Sequence, residues 1–403
     1  MRNGVPGFVG AKLAEARLGR GISSRKALAD MLQRAPSTVI RWEEGETSPE
    51  PAALSELSRA LSVPEEFFLT ERPGGGGLSF FRSVSASLKS DRNAQETRLL
   101  WLSDITAVAE HYAYLPQVDI PDVLRGRTFR TLRDDDIEQA AQVARDYWGL
   151  GLAPISNMVA FLERIGVVVA SEAMETDCLD AVSRWGADDR PYVLLADDKQ
   201  SMVRRQFDCA HELGHLVLHR HVSKEEFADN FKLIESQADR FASAFLLPSA
   251  QFPLEVGRCA LWDLERLKIR WRVSIKAQIV RLSRLCIVDK DAATRLFKIY
   301  SAKGYSRSEP FDAEWELPRP TLLADVFRTI VSEGQLSKSE LRADFSLLPH
   351  DVESLSALPS GWLTSETARV VILRPLRSDK ASIRDRGESS IIPIRSLGWP
   401  SKE

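Results

Sequence analysis

Four of the six histidines in this 403-residue chain fall within the eleven residues 211–221. His211 and His215 are four positions apart, so on a helix both imidazoles lie on one face and can bind a single metal ion. Glu212 lies one step round the same helix, where its carboxylate can take a proton from a water that the metal has made acidic. The stretch therefore predicts a helix that carries two metal ligands and a general base.

A third protein ligand is predicted at Glu235, twenty residues after His215. Asp239 follows one helical turn later, and we expect it to hydrogen-bond the outer nitrogen of a ligating histidine and so hold the tautomer of that ring. The apolar residues around both indicate a helix: Ile234, Ala238, Phe241, Ala242 and Phe245. H-E-x-x-H followed by E-x-x-x-D resembles the gluzincin arrangement of zinc metallopeptidases. The resemblance implies one Zn²⁺ bound by His211, His215 and Glu235, although Mn²⁺ or Fe²⁺ can also occupy a site of two histidines and a carboxylate.

The alternative for this stretch is a surface helix whose histidines are solvated. That alternative explains poorly why apolar residues surround the histidines, namely Phe207, Ala210, Leu213, Leu216 and Leu218. For His219 and His221 the pattern leaves two interpretations open. Either residue could donate a hydrogen bond to a developing oxyanion, or lie at a solvent-exposed helix end. We therefore assign neither of them to the catalytic set.

The composition is that of a soluble protein with two or three domains, with a net charge of −3 and 28% charged residues. Its four cysteines are widely spaced, which favours reduced thiols. We find no apolar run of signal-peptide or membrane-span type, and expect a cytoplasmic location. The charge is uneven: residues 1–42 contain eight Lys or Arg and two acidic residues, which makes this part a candidate phosphate-facing surface.

The first 72 residues are predicted to form an all-α helix-turn-helix bundle. Turn residues and helix starts indicate helices at 10–17, 25–32, 36–43 and 51–60. This part of the chain resembles the Xre-type helix-turn-helix family. The segments that carry the resemblance are 28–29, 36–45 and 57–64, together with Pro49. That resemblance implies that the DNA contacts are made by Arg25, Lys26, Pro36, Ser37, Thr38, Ile40 and Arg41. The same type of domain can instead serve in dimerisation or partner docking.

Residues 73–77, a proline and four glycines, are predicted to be a flexible linker at a domain boundary. We expect a helix-rich stretch to begin at Phe80, and a helix over residues 157–165. Residues 166–170 and 192–196 have the β-branched, apolar character of strands and predict a small sheet. An edge of this sheet beside the metal cleft could hold an extended peptide by strand addition.

The order of motifs over residues 78–290 resembles the ImmA/IrrE family of metallopeptidases. The segments that carry the resemblance are 148–150, 162–167, 205–207, 211–219, 235–248 and 271–274. Many members of this family have an Xre-type domain at the N-terminus, and characterised members cleave a partner transcriptional repressor. The resemblance therefore implies a metallopeptidase domain of the α+β class over residues 78–290.

Residues 291–403 are predicted to form a small C-terminal α/β domain, with helix over 312–347 and a strand pair at 370–373 and 391–394. This domain could act as a sensor or as a structural extension. The whole chain is then a multidomain, mainly α protein. Our first interpretation is a zinc-dependent endopeptidase that cleaves a repressor and carries a DNA-binding or docking domain, with a homodimer as one assembly. The alternative is a DNA-binding transcriptional regulator whose metallopeptidase-like module senses a signal with little or no turnover.

Overall fold

The computed structural model describes residues 4–71, 78–81, 89–174, 180–198, 200–365 and 392–393. The predicted linker at 73–77 and the predicted strand at 370–373 lie outside these residues. None of the described helices is both long and apolar enough to cross a membrane.

The N-terminal bundle consists of four helices and a closing 3₁₀ turn at Glu65–Leu69. The helices are α1 (Gly10–Gly19), α2 (Arg25–Met31), α3 (Pro36–Glu43) and α4 (Pro51–Leu61). Local chemistry sets their starts, because the Ser24 hydroxyl accepts a hydrogen bond from the Ala27 amide and prolines open α3 and α4. Gln33, in the tight turn between α2 and α3, has a φ of 51°. The four predicted helices are confirmed.

The middle of the chain places five helices around a four-stranded sheet. The helices are α5 (Lys89–Tyr112), α6 (Asp134–Tyr147), α7 (Met158–Arg164), α8 (Met202–Leu218) and α9 (Lys224–Leu246). The strands are β1 (Ser79–Phe81), β3 (Val168–Glu172), β4 (Ala181–Trp185) and β5 (Pro191–Ala196), in the order β1-β4-β5-β3. β4 pairs antiparallel with both β1 and β5, whereas β3 and β5 are parallel. A separate short pair joins β2 (Ala113–Tyr114) to β6 (Ile392–Pro393).

Seven further helices complete the described part of the chain. They are α10 (Phe252–Glu255), α11 (Leu261–Trp271), α12 (Ile275–Arg284), α13 (Lys290–Ala302), α14 (Leu322–Ser332), α15 (Lys338–Ala343) and α16 (Pro349–Leu355). The helices from α10 to α13 share the apolar core of α8 and α9.

Two sequence predictions need correction. The segment at Phe80 does not begin a helix, because residues 79–81 form β1 through pairing with β4. The predicted helix over 312–347 is divided, since Pro318 and Pro320 interrupt the stretch before α14 begins. The predicted strand at 391–394 is a strand in its described part, Ile392–Pro393, which pairs with Ala113–Tyr114, and its predicted partner at 370–373 lies outside the described residues.

The N-terminal bundle packs against the rest of the molecule. One apolar core contains residues of α1 to α4, α5, one face of the sheet and α14 to α16. The same parts of the molecule are also joined by a cluster of charged side chains around Asp351, which is 1% exposed. Asp351 accepts hydrogen bonds from Arg20 at 2.6 and 2.8 Å and from Arg98 at 2.5 Å. Arg98 also pairs with Glu172 of β3. These four side chains join the bundle, α5, the sheet and α16.

Candidate metal centre

The site lies where α8 and α9 pack closely against each other. Ser201 caps the N-terminus of α8, since its hydroxyl accepts a hydrogen bond from the Arg204 amide, and the helix is buried over most of its length. Gly214 permits the close approach, because a Cβ there would lie 3.2 Å from the Cα and carbonyl oxygen of Ala238. This contact brings Glu235 of α9 opposite His211 and His215 of α8.

The three predicted ligands come together in one cluster. The Nε2 atoms of His211 and His215 are 3.0 Å apart, and Glu235 places Oε2 3.3 Å from the first and Oε1 3.2 Å from the second. Both histidines are 1% exposed. This is the one group that the described residues offer with three ligand atoms within 4.8 Å of one another.

Each histidine has a partner on its outer nitrogen. Asp239 Oδ1 lies 2.8 Å from His211 Nδ1. His215 Nδ1 lies 3.1 Å from Nδ1 of His219. His219 is fully buried and in turn places Nε2 3.0 Å from Oε1 of Gln237. His219 is therefore neither at a solvent-exposed helix end nor available to an oxyanion, because both of its ring nitrogens are engaged by His215 and Gln237. His221, in contrast, is exposed.

The hydrogen-bond chain determines where the ring protons lie. Gln237 donates from Nε2 to the Phe129 carbonyl at 2.7 Å, so its Oε1 is the acceptor for His219 Nε2. Burial, and then His215, lower the pKa of His219 to about 3, so this ring is neutral. His219 Nδ1 must then accept a hydrogen bond from the Nδ1–H of His215. The Nε2 lone pair of His215 is consequently directed at His211 and Glu235.

The donor set fits a divalent cation. When both rings are neutral and their Nδ1 protons are engaged, the Nε2 lone pairs of His211 and His215 face each other at 3.0 Å, an arrangement that is repulsive without a positive charge between them. Among the described residues, the buried Oε1 of Glu235 has no hydrogen-bond partner. Donor atoms that each lie about 2 Å from a tetrahedral ion are about 3.3 Å apart, close to the separations found here.

Glu212 lies beside this cluster and is 1% exposed. Its Oε2 atom is buried without a hydrogen-bond partner among the described residues. Burial raises the pKa of Glu212 above its usual range, and the rings of His215 and His211 oppose that rise. A bound cation would oppose it further and favour the carboxylate that accepts a proton.

The cluster is covered by an aromatic ring on one side and lies near a groove on the other. The Phe80 ring of β1 stacks on the ring of His215, with centroids 4.7 Å apart and planes inclined by 10°. Toward the groove, the side chain of Asp239 is 42% exposed. A groove of about 600 Å³ reaches Asp239 between α8, α9, α12 and residues 305–312.

The residues predicted to contact DNA lie on and before α3. Lys26, Pro36, Ser37 and Arg41 are exposed, whereas Thr38 and Ile40 are half-buried. Arg25 differs because its guanidinium pairs with Glu43 at 2.7 Å and with Glu44 at 3.1 Å. The structure thus leaves a solvent-facing surface on α3 and engages Arg25 within the bundle.

Comparison with family models agrees with both parts of this description. Residues 13–68 match a helix-turn-helix domain model, and residues 162–283 match the IrrE N-terminal-like domain of the M78 peptidases. No curated protein matches the chain. The second match spans α8 and α9 and therefore the whole histidine and glutamate cluster. The chain thus combines a helix-turn-helix module over residues 13–68 with an IrrE-like metallopeptidase domain over residues 162–283.

Proposed function

We propose that the chain is a zinc-dependent endopeptidase that cleaves a regulatory protein in the cytoplasm, with a transcriptional repressor as the substrate. The observation that carries this proposal is the convergence of His211, His215 and Glu235 beside a buried Glu212. In this proposal the first three residues hold the metal and Glu212 is the catalytic residue.

The chemistry divides between the ion and the protein. Zinc, when bound, supplies a Lewis acid that polarises a peptide carbonyl and acidifies water. Glu212 takes a proton from the attacking water and delivers it to the leaving amine. Asp239 and His219 hold the two imidazole rings so that their bare Nε2 atoms stay directed at one point.

The helix-turn-helix module is proposed to bind DNA through the surface that contains Lys26, Pro36, Ser37 and Arg41. These side chains are exposed, and α3 is the second helix of the motif, the element that enters a major groove. Binding of this kind would hold the peptidase close to a repressor on its operator.

A second candidate function is a transcriptional regulator whose metal module senses a signal with little or no turnover. One observation favours it. The helix-turn-helix bundle shares an apolar core with the sheet of the metallopeptidase domain, and Arg20 of the bundle shares the carboxylate of Asp351 with Arg98, which pairs with Glu172 of the sheet. A change at the metal site could therefore bias the position of the DNA-binding surface.

The Glu212→Gln substitution distinguishes the two functions. A denatured protein extract from the host cell is incubated with the zinc-loaded parent or variant, and new protein N-termini are identified by mass spectrometry. We expect the variant to retain zinc and to lose the cleavages that the parent makes. The exposed Glu333→Gln change is the matched control. Equal cleavage by parent and Glu212→Gln would remove Glu212 from the mechanism, and absence of cleavage by both would favour the sensor.

A further inference from the structure

The strand β1 lies at the edge of the sheet that borders the metal cluster. Its three residues pair antiparallel with β4, with Phe80 opposite Ser183. β4 would otherwise be the edge strand on this side, as the order β1-β4-β5-β3 shows. An edge strand beside a peptidase cleft is where an extended peptide adds by backbone hydrogen bonding. That edge is filled here by the chain's own residues 79–81.

The Phe80 side chain fills an apolar pocket next to the cluster. Phe80 is 2% exposed and belongs to a small separate core with Phe129, Val222, Phe227 and Ile234. Its ring contacts His215 face to face and the Phe227 ring edge to face. The pocket therefore has the size and apolar character for one large hydrophobic side chain immediately beside a predicted metal ligand.

Grooves continue from both sides of this position. The groove that reaches Asp239 lies on one side of the cluster. On the other, a second groove of about 400 Å³ is lined in part by Phe129 and Val222, two residues of the Phe80 pocket. A longer extended chain could thus run past the cluster in both directions. With β1 in place, however, His211, Glu212 and His215 are each only 1% exposed.

We propose that β1 is a built-in occupant of the substrate-binding edge, and that Phe80 fills the pocket for a large apolar side chain of the substrate. This inference rests on the proposed peptidase function. The substrate class that follows is an extended segment with an aromatic or large aliphatic residue next to the scissile bond. Pairing between β1 and β4 keeps the site closed, and a substrate strand must displace it.

Binding in trans tests the proposal without any cleavage. The probe is a fluorescein-labelled peptide with the sequence of residues 76–84, measured by fluorescence anisotropy against the full chain with Glu212→Gln, with and without zinc. In a second protein, residues 79–81 are also replaced by three glycines. We expect the peptide to bind this second protein at least about tenfold more tightly, because the pocket is empty and a glycine segment pairs with β4 only weakly. A peptide with alanine at the position of Phe80 should lose that gain.

A point variant guards against loss of folding in the glycine replacement. In Phe80→Ala we expect a chromophoric chelator to remove zinc at least about tenfold faster than from the parent. Phe297→Ala, a truncation of a half-buried ring on α13, should match the parent. Equal peptide binding with and without β1, or no binding to either protein, would overturn the proposal, as would unchanged zinc removal in Phe80→Ala. The two proteins of the peptide-binding test carry Glu212→Gln, and zinc removal involves no cleavage. Both outcomes are therefore independent of whether the parent cleaves anything.

Discussion

The Nδ1 atoms of His215 and His219 lie 3.1 Å apart. His219 is fully buried and is not one of the three predicted metal ligands, yet it is the hydrogen-bond partner of one of them. Gln237 orients His219 from the other side, at 3.0 Å. The proton order along this chain leaves His215 Nε2 bare. His219 is therefore a positioning residue, which holds the His215 ring so that the Nε2 atom of His215 faces the metal site.

Replacement of His219 should weaken metal binding. We expect His219→Ala to lower zinc affinity by roughly 10- to 100-fold, the usual effect of removing the partner of a ligating histidine. His219→Gln should recover part of the loss, because the side-chain oxygen of glutamine can accept a hydrogen bond from the Nδ1–H of His215. Competition with a chromophoric chelator measures both. His221→Ala, at an exposed position, should behave as the parent, and parent-like affinity in His219→Ala would contradict the role given to His219.

Glu163 should make stability depend on pH. Its Oε1 accepts hydrogen bonds from the Thr321 and Leu322 amides at 2.9 Å, and burial raises its pKa from 4.5 to about 7. Below pH 4.5 the carboxyl is protonated in the folded and the unfolded chain. As pH rises from 4.5 to about 7 the unfolded chain releases this proton first, so this group's stabilisation of the fold is lost over that range.

Glu163→Gln removes this ionisation and keeps an acceptor oxygen for the two amides. Its free energy of unfolding relative to the parent should rise by on the order of 3 kcal/mol between pH 5 and pH 8. Urea unfolding of parent and variant at both pH values measures the difference. A constant difference across this range would show that Glu163 does not ionise with a raised pKa.

Asp351 should be essential for the packing of the N-terminal bundle on the rest of the chain. Asp351→Asn leaves Arg20 and Arg98 partly buried without their common carboxylate. We expect the free energy of unfolding to fall by roughly 3 kcal/mol, the lower end for a broken buried pair, because both arginines retain some exposure. Urea unfolding measures this, with the exposed Asp135→Asn as control. Equal midpoints in parent and Asp351→Asn would contradict the prediction.

Arg41 should contribute to DNA affinity without affecting the metal site. Its side chain is exposed, and within the described part of the chain it makes a long hydrogen bond, 3.4 Å, to the Ser37 carbonyl. Arg41→Ala should weaken binding to DNA from upstream of the chain's own gene. If Arg41 contacts a phosphate, the slope of log K against log salt concentration should become shallower by about one. Arg59→Ala is a close control, since Arg59 makes the same contact to Ser55 on α4. Equal losses in the two variants would argue against a DNA surface on α3.

The parts that the sequence predicts well are those whose determinants are local. Ser24 and Pro36 mark the starts of α2 and α3, and the spacing of His211 and His215 places both on one face of α8. The three-residue strand β1 was missed because its pairing with β4, more than a hundred residues away, stabilises it. The pattern of apolar residues within a segment does not show whether a distant strand pairs with it.

The same reason explains why two polar arrangements could not be foreseen. The contact of His219 with Gln237 depends on how α8 packs against α9. Arg20 and Asp351 are 331 residues apart and meet only in the folded chain. The spacing of 211, 215 and 219 by four residues did contain a signal for His219, because three histidines on one helical face are adjacent.

Elemental analysis of the purified, desalted chain beside its Glu235→Ala variant tests the metal site most directly. Plasma mass spectrometry should find about one zinc per chain in the parent and much less in Glu235→Ala, because the variant lacks the single carboxylate among the three ligands. Glu225→Ala, an exposed position on the same helix, should retain the metal. A parent that binds no zinc even when zinc is supplied, or a Glu235→Ala variant that retains it fully, would contradict the assignment of the site.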